Sequence, residues 1–411
     1  MKPHARTEKQ AVDAADLHHE AGAPAAARSL PYETIALVLQ GGGALGAYQA
    51  GVFEGLHEAG IPLDWIAGIS IGALNTALIA GNAPEHRVER LREFWETICQ
   101  PAFFPTIPAA FEFALFNSID QVRTFFTASQ AASAMMQGQQ GFFVPRFPPP
   151  LPGVSDHPEK ISWYDTSALR ATLLKLCDFD RINSGETRVS VGAVNVGTGN
   201  FVYFDNSRIR LAPEHFMASG ALPPGFPPVE IEGEYYWDGG VVSNTPLMEV
   251  LNAAPRRDTL AFQVDLWSAR GPLPRTMADV AERMKDVQYS SRTRFVTDML
   301  QREQRFRSLL NHVIDHVPED IRSNDPWWQS VEELSCSRCY NVQHLIYHEK
   351  PYENQYKDVQ FGLSTMHDHW EAGLKDIRKS LSFEKNLALP ENEVRFSVYD
   401  VNKLDAAHSK K

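Results

Sequence analysis

Three short segments of this chain carry residues whose types and spacing can do nucleophilic chemistry. In 68-GISIG-72, Ser70 sits in a G-x-S-x-G pattern between an apolar run and a small-residue stretch. A sharp strand-to-helix turn of this kind exposes the hydroxyl on strained backbone. It needs Gly68 and Gly72 because a Cβ would clash, and it aims the next helix N-terminus at charge developing beside the serine. A serine nucleophile also needs a base and oxyanion donors. The candidate base is Asp238 in 233-GEYYWDGGVVSNTP-246, held by Gly239 and Gly240; the candidate donors are the backbone N–H groups of Gly41, Gly42 and Gly43. Each segment has a plainer reading as well. Ser70 can be a glycine-flanked helix cap and Asp238 part of an ordinary D-G-G turn, while Gly41, Gly43 and Gly46 satisfy the G-x-G-x-x-G of a dinucleotide loop.

Positioning these residues falls to buried strands. Thr34–Gln40 is apolar and β-branched without alternation, as a strand covered on both faces requires. Tyr48, Val52 and Leu56 then recur at helical spacing, up to Gly60 and Pro62. Asp64–Ile69 is predicted as a second buried strand delivering Ser70 to a helix from about Gly72 to Ala80. Pro84 opens another helix, with Val88, Leu91, Trp95 and Ile98 on one face. Strands and helices alternating in this way make an α/β fold with a parallel sheet. Further on, Arg188–Val196 and Phe201–Asp205 flank 197-GTGN-200 as a hairpin, and Thr259–Leu266 reads as a buried strand. From about Pro274 the texture changes to long amphipathic helices, then a strand at 342-VQHLIYH-348 and a helix around Ser364–Leu381.

This order separates the readings. A dinucleotide-binding fold ends its second strand in an acid that holds a ribose hydroxyl. Here that strand ends in Ser70, and Asp64 stands at its opposite end, so a nucleotide-dependent oxidoreductase is the weaker alternative. A Ser–His–Asp triad is the other competitor, since His215, His344, His348, His367 and His369 all follow Ser70. None has the glycine frame of Asp238, and His367 and His369, two apart on a helix, face different ways. They read as surface or helix-packing histidines.

Taken together, 41-GGGALGAYQAGV-52, 68-GISIGALN-75, 218-ASGALPPGFPPV-229 and 237-WDGGVVSNTP-246 resemble the patatin-like phospholipase family, in the family's order, over about Ile35–Leu266. The resemblance implies a three-layer α/β/α hydrolase sheet and hydrolysis of lipid acyl esters. It also implies a Ser70–Asp238 dyad, an oxyanion hole from the backbone of Gly41, Gly42 and Gly43, and no metal or cofactor. One departure is Leu45, where many members carry Arg or Lys; whatever that charge gives to an anionic headgroup or to the loop is missing here. The stretch beyond about residue 270 looks like the extra C-terminal segment of some bacterial patatin-like proteins.

With 411 residues, 43% of them hydrophobic, the chain can bury a sizeable core, and its net charge of −12 argues against a nucleic-acid partner. Cys336 and Cys339 form one C-x-x-C with no further zinc ligands at suitable spacing, so they read as reduced structural thiols. No apolar targeting region and no membrane-length apolar run is apparent, so the expectation is a cytoplasmic protein that at most touches the inner face of the membrane. The expected organisation is a disordered segment at 1–31, a catalytic domain at 32–270 and a mostly helical region at 271–411. Within the catalytic domain, residues 101–160 are dense in phenylalanine, Phe103 and Phe104 among them, and rich in proline. They are either a lid or acyl-chain wall, or an insertion packing its own small core. The basic stretch 292-RTRFVTDMLQREQRFRSLLNHVI-314 is either a helix for an anionic lipid surface or a domain helix with a solvated charged face. The former keeps open a non-enzymatic lipid- or partner-binding module as a second alternative.

Overall fold

The structure is a computed structural model describing residues 28–401 apart from 104–108, 152, 154–156 and 325. The expected N-terminal disorder, up to residue 27, and Phe104 lie outside the described residues. The strands are β1 (Thr34–Leu39), β2 (Trp65–Gly68), β3 (Val144–Pro145), β4 (Tyr164–Asp165), β5 (Arg188–Asn195), β6 (Phe201–Asp205), β7 (Val229–Ile231), β8 (Glu234–Asp238), β9 (Thr259–Asp265), β10 (Tyr340–Ile346) and β11 (Phe396–Asp400). β3 and β4 form a small ribbon. The other nine make one sheet in the order β11-β10-β9-β1-β2-β5-β8-β7, with β6 also on β5. Pairing is parallel from β11 to β5 and antiparallel among β5, β6, β7 and β8.

β1 is buried along its whole length, as its unalternating sequence predicts, because both faces of the sheet are covered. Leu37 and Leu39 point into a core shared with α1 (Ala47–Glu58), α2 (Ile71–Ala80) and α3 (Arg87–Ile98). Ala36 and Val38 point the other way, against Leu247, Val250, Leu251 and Leu300 of the helix Met277–Asp315. These are the three layers of the expected α/β/α fold. From β1 the chain builds outward in both directions, through β2 and β5 on one side and β9, β10 and β11 on the other. A crevice opens where such a sheet reverses, at the carboxyl ends of its strands.

The boundary expected near residue 270 is crossed by this sheet. All seven residues of β9 are buried, so its outer edge has to be paired, and β10 and then β11 supply the pairing. The C-terminal helix Leu363–Ser382 packs along α1, where Gly373 lies so close to the Tyr48 carbonyl that a Cβ would stand 2.0 Å from it. The basic stretch falls within the helix Met277–Asp315, whose Thr276 and Asp279 form a capping box; it buries Leu300 and Ile314 and exposes Phe295 and Phe306. In the aromatic insertion, α4 (Ala109–Phe116) and α5 (Asp120–Gln137) bring Phe116 and Phe126 against Tyr352 in a small separate core, whereas Phe142 and Phe143 join the main one. Among the described residues no helix is long and apolar enough to cross a membrane.

Candidate active site

Ser70 stands between β2 and α2 with φ 56° and ψ −124°, a region that residues with a Cβ rarely occupy. Close packing leaves the turn no slack. A Cβ on Gly68 would lie 2.4 Å from the Gly72 carbonyl oxygen, and one on Gly72 would lie 2.5 Å from that of Leu39. The Ser70 N–H donates to Ser219 Oγ (3.1 Å), which in turn donates to the Gly192 carbonyl (2.7 Å). Ser219 belongs to 218-ASGALPPG-225, a segment matched in the sequence but given no role there.

Asp238 reaches the same place through β5. β2 pairs with Arg188–Val191, and β6 occupies the opposite edge of β5 along Ser190–Val194. β8 therefore takes over β2's edge just past its end, with Ala193 opposite Asp238. That register sets the last residue of β8 beside the serine that follows β2. The Asp238 carboxylate is buried and accepts the Gly240 N–H (2.7 Å), and both it and Ser70 face the same cavity. Burial pushes its pKa up to about 7, and the nearby Ser70 side chain and the Gly240 N–H only partly oppose that rise. Gly239 lies against the Gly192 carbonyl, where a Cβ would approach to 2.6 Å.

The glycine loop divides. The Gly41 N–H donates to the Asn244 carbonyl (3.3 Å), while the Gly41 carbonyl accepts from Asn244 Nδ2 (3.0 Å) and Trp267 Nε1 (2.8 Å). Gly41 is thus a structural tie, which corrects the expectation of three free donors. The N–H groups of Gly42 and Gly43, and that of Ile71 just after Ser70, have no acceptor among the described residues. Gly43 must be glycine twice over: its φ is +56°, and a Cβ would lie 2.2 Å from the Asp358 carbonyl oxygen. Leu45 is fully buried in the main core and takes no part in lining the cavity beside Ser70. A leucine at this position serves packing and brings no charge to the cavity.

These groups open into a cavity of about 270 Å³ whose far walls are apolar. Phe142 and Phe143 from the insertion, Phe226, and Phe361 from the C-terminal region pack ring against ring, with centroids 5.2 Å apart for Phe143–Phe226 and 5.9 Å for Phe142–Phe361. Of the insertion's phenylalanines, Phe142 and Phe143 line this cavity. Val359 and Phe361 carried no signal in the sequence. Their segment is anchored by Lys357, whose buried ammonium lies 2.8 Å from Asp286 Oδ1 and 3.2 Å from Glu349 Oε2. Burial works against that charge, but the carboxylates more than offset it and hold the lysine pKa above its ordinary value. Lys357→Met should therefore cost about 3–5 kcal/mol in a denaturant titration, because it strands buried carboxylates. Equal stability would mean that the cluster does not hold this wall.

The histidines stand elsewhere. His215 Nδ1 accepts from the Ala212 N–H (2.9 Å), and His369 pairs with Glu353 (2.7 Å) in the interior. His344 does pair with an acid, Asp265 (2.6 Å), in a second cavity of about 410 Å³. The two serines lining that cavity donate elsewhere, Ser268 to the Arg270 carbonyl (2.8 Å) and Ser290 to the Asp286 carbonyl of its own helix, so no triad forms there. All four cysteines are buried free thiols, and among the described residues no group of three or more His, Cys, Asp or Glu is arranged to hold a metal.

Comparison with known proteins finds two family models in this chain. The model for "Patatin-like phospholipase" matches residues 37–251, just over half the chain, and one described as "Patatin phospholipase" matches 287–393. Lysophospholipase nte1 of Aspergillus terreus is 56% identical over 57 residues, 14% of this chain and 4% of that protein. The human patatin-like phospholipase domain-containing protein 6 is 40% identical over 86 residues, 20% of this chain and 6% of that one. The matched part is thus a small fraction of these relatives' length. VipD from Legionella pneumophila aligns over 83% of this chain and 67% of its own, at 14% identity and a TM-score of 0.31.

Proposed function

Because this chain belongs to the patatin-like phospholipase family, we propose that it is a lipid acyl hydrolase working through Ser70 and Asp238. The observation that carries this reading is a serine on strained backbone that shares one apolar cavity with a buried carboxylate and with unpaired backbone N–H groups. Ser70 Oγ attacks the acyl carbonyl while Asp238 takes its proton. The oxyanion is held by the N–H groups of Gly42 and Gly43, with Ile71 as a third donor. Collapse of the adduct breaks the C–O bond, and Asp238 returns the proton to the departing alcohol. Asp238 then activates water against the acyl-enzyme, releasing the fatty acid and restoring Ser70. The aromatic walls take the acyl chain by burial alone.

A base that must be ionised gives the test a direction. Hydrolysis of a p-nitrophenyl acyl ester, and labelling of Ser70 by a fluorophosphonate probe, should both rise with pH and level off above about 7, where Asp238 loses its proton. A kcat/KM that is flat from about pH 5 to 8 would remove Asp238 from that role. Absence of labelling at Ser70 at any pH would favour a lipid- or partner-binding module instead.

A further inference from the structure

The exposed side of the aromatic insertion is built unlike the surface around it. Between Arg123 and Arg146 there is no charged residue, although 22% of the chain is charged. α5 nevertheless turns one long face to solvent: Val122, Phe125, Ser129, Ala132 and Met136 are all exposed and recur at spacings of three and four. Phe125 is 77% exposed and Met136 79%. Exposed apolar surface gathered on one helix face in this way marks a contact site.

What it contacts follows from where it lies. The inner side of α5 is a wall of the catalytic cavity, to which it contributes Ala134 and Met135. Met135 both lines the cavity and is 38% exposed, so the wall passes into the outer face through adjacent residues, Met135 and Met136. A surface continuous with an acyl-chain site, apolar and free of charge, matches the boundary between lipid headgroups and acyl chains. With no cations on α5 beyond Arg123 and a net charge of −12, attraction to anionic headgroups has nothing to act through.

We infer that the outer face of α5 seats the protein on an uncharged or zwitterionic lipid surface with the cavity mouth against the lipid. This rests on the hydrolase reading for its choice of partner. Phe125 and Met136 enter the acyl boundary, and an ester-bearing chain passes along Met135 toward Ser70 without crossing bulk water. The attraction is burial of apolar area, so it does not weaken with salt as an electrostatic contact would.

The test is flotation of the full chain with phosphatidylcholine vesicles, comparing the parent, Ser70→Ala, and the double variant Phe125→Asp/Met136→Asp. The parent and Ser70→Ala should float equally, at low salt and at about 1 M salt alike. The double variant should bind at least about tenfold more weakly while hydrolysing a soluble short-chain ester at the parental rate, which also reports that it is folded. Undiminished flotation of the double variant, no flotation of the parent, or binding abolished by salt would each overturn the inference. So would a parental dimer that the double variant splits, since a second copy would then occupy the face. Flotation reads this surface and ester hydrolysis reads Ser70, so the two proposals can fail separately.

Discussion

An Asp238→Asn enzyme is expected to hydrolyse acyl esters about 10²–10⁴-fold more slowly than the parent and, above neutral pH, to unfold at a higher temperature. Both effects come from the same burial. The Asp238 pKa stands at about 7 against an ordinary 3.8, so the folded protein holds this proton more tightly than the unfolded chain. Stability contributed by that proton is complete below pH 3.8, declines as pH rises, and is gone above about 7. Asparagine has no such titration and keeps an oxygen to accept the Gly240 N–H. The stability difference between variant and parent should thus open between about pH 4 and 7 and stay constant beyond, reaching on the order of 4 kcal/mol at most. Thermal melts over a pH series measure it. A difference that does not change with pH would mean that Asp238 is ionised in the fold at no cost, and with it the explanation for a base poised near neutrality would fail.

Ser70→Ala and Ser70→Gly should both lose activity by roughly 10³-fold or more if Ser70 is the nucleophile, yet they should differ in stability. Alanine keeps the Cβ at φ 56° and therefore the strain; glycine relieves it. The relief is about 1–3 kcal/mol, set against about 0.5–1 kcal/mol for the extra freedom of glycine in the unfolded chain. Ser70→Gly should come out more stable than Ser70→Ala by up to about 2.5 kcal/mol in urea. If alanine is the more stable of the two, the turn is relaxed and the serine is exposed there without stored strain.

The residues that meet at the candidate site were legible because each lies in a short local string with its own turn glycines: 68-GISIG-72, 237-WDGG-240 and 41-GGG-43. Their meeting was not legible. It depends on β8 following β2 along one edge of β5, a register set by pairing between distant segments. The fate of the Gly41 N–H was hidden for the same reason, since its acceptor, Asn244, is about two hundred residues away. β10 was readable as a strand, but nothing in 342-VQHLIYH-348 names β9 as its partner, and the five residues of β11 are too few to show a period. The loop bearing Lys357, Val359 and Phe361 looks like any polar connection; only the fold turns it into a wall. At Leu45 the sequence showed that a charge is absent, while only the fold shows that the leucine is part of the core.

Gly43 rests against the carbonyl of Asp358, a residue synthesised more than three hundred positions later. On a ribosome Ser70 and Asp238 emerge well before that carbonyl, since chains fold as they grow. Until it emerges, one wall of the cavity and the backing of the glycine loop are missing. On the hydrolase proposal, competence is then a late event in the life of each molecule, gained only when the segment around Asp358 closes over the glycine loop. A stalled or clipped chain lacking that segment would carry the serine and the aspartate, yet have no finished chamber in which to use them.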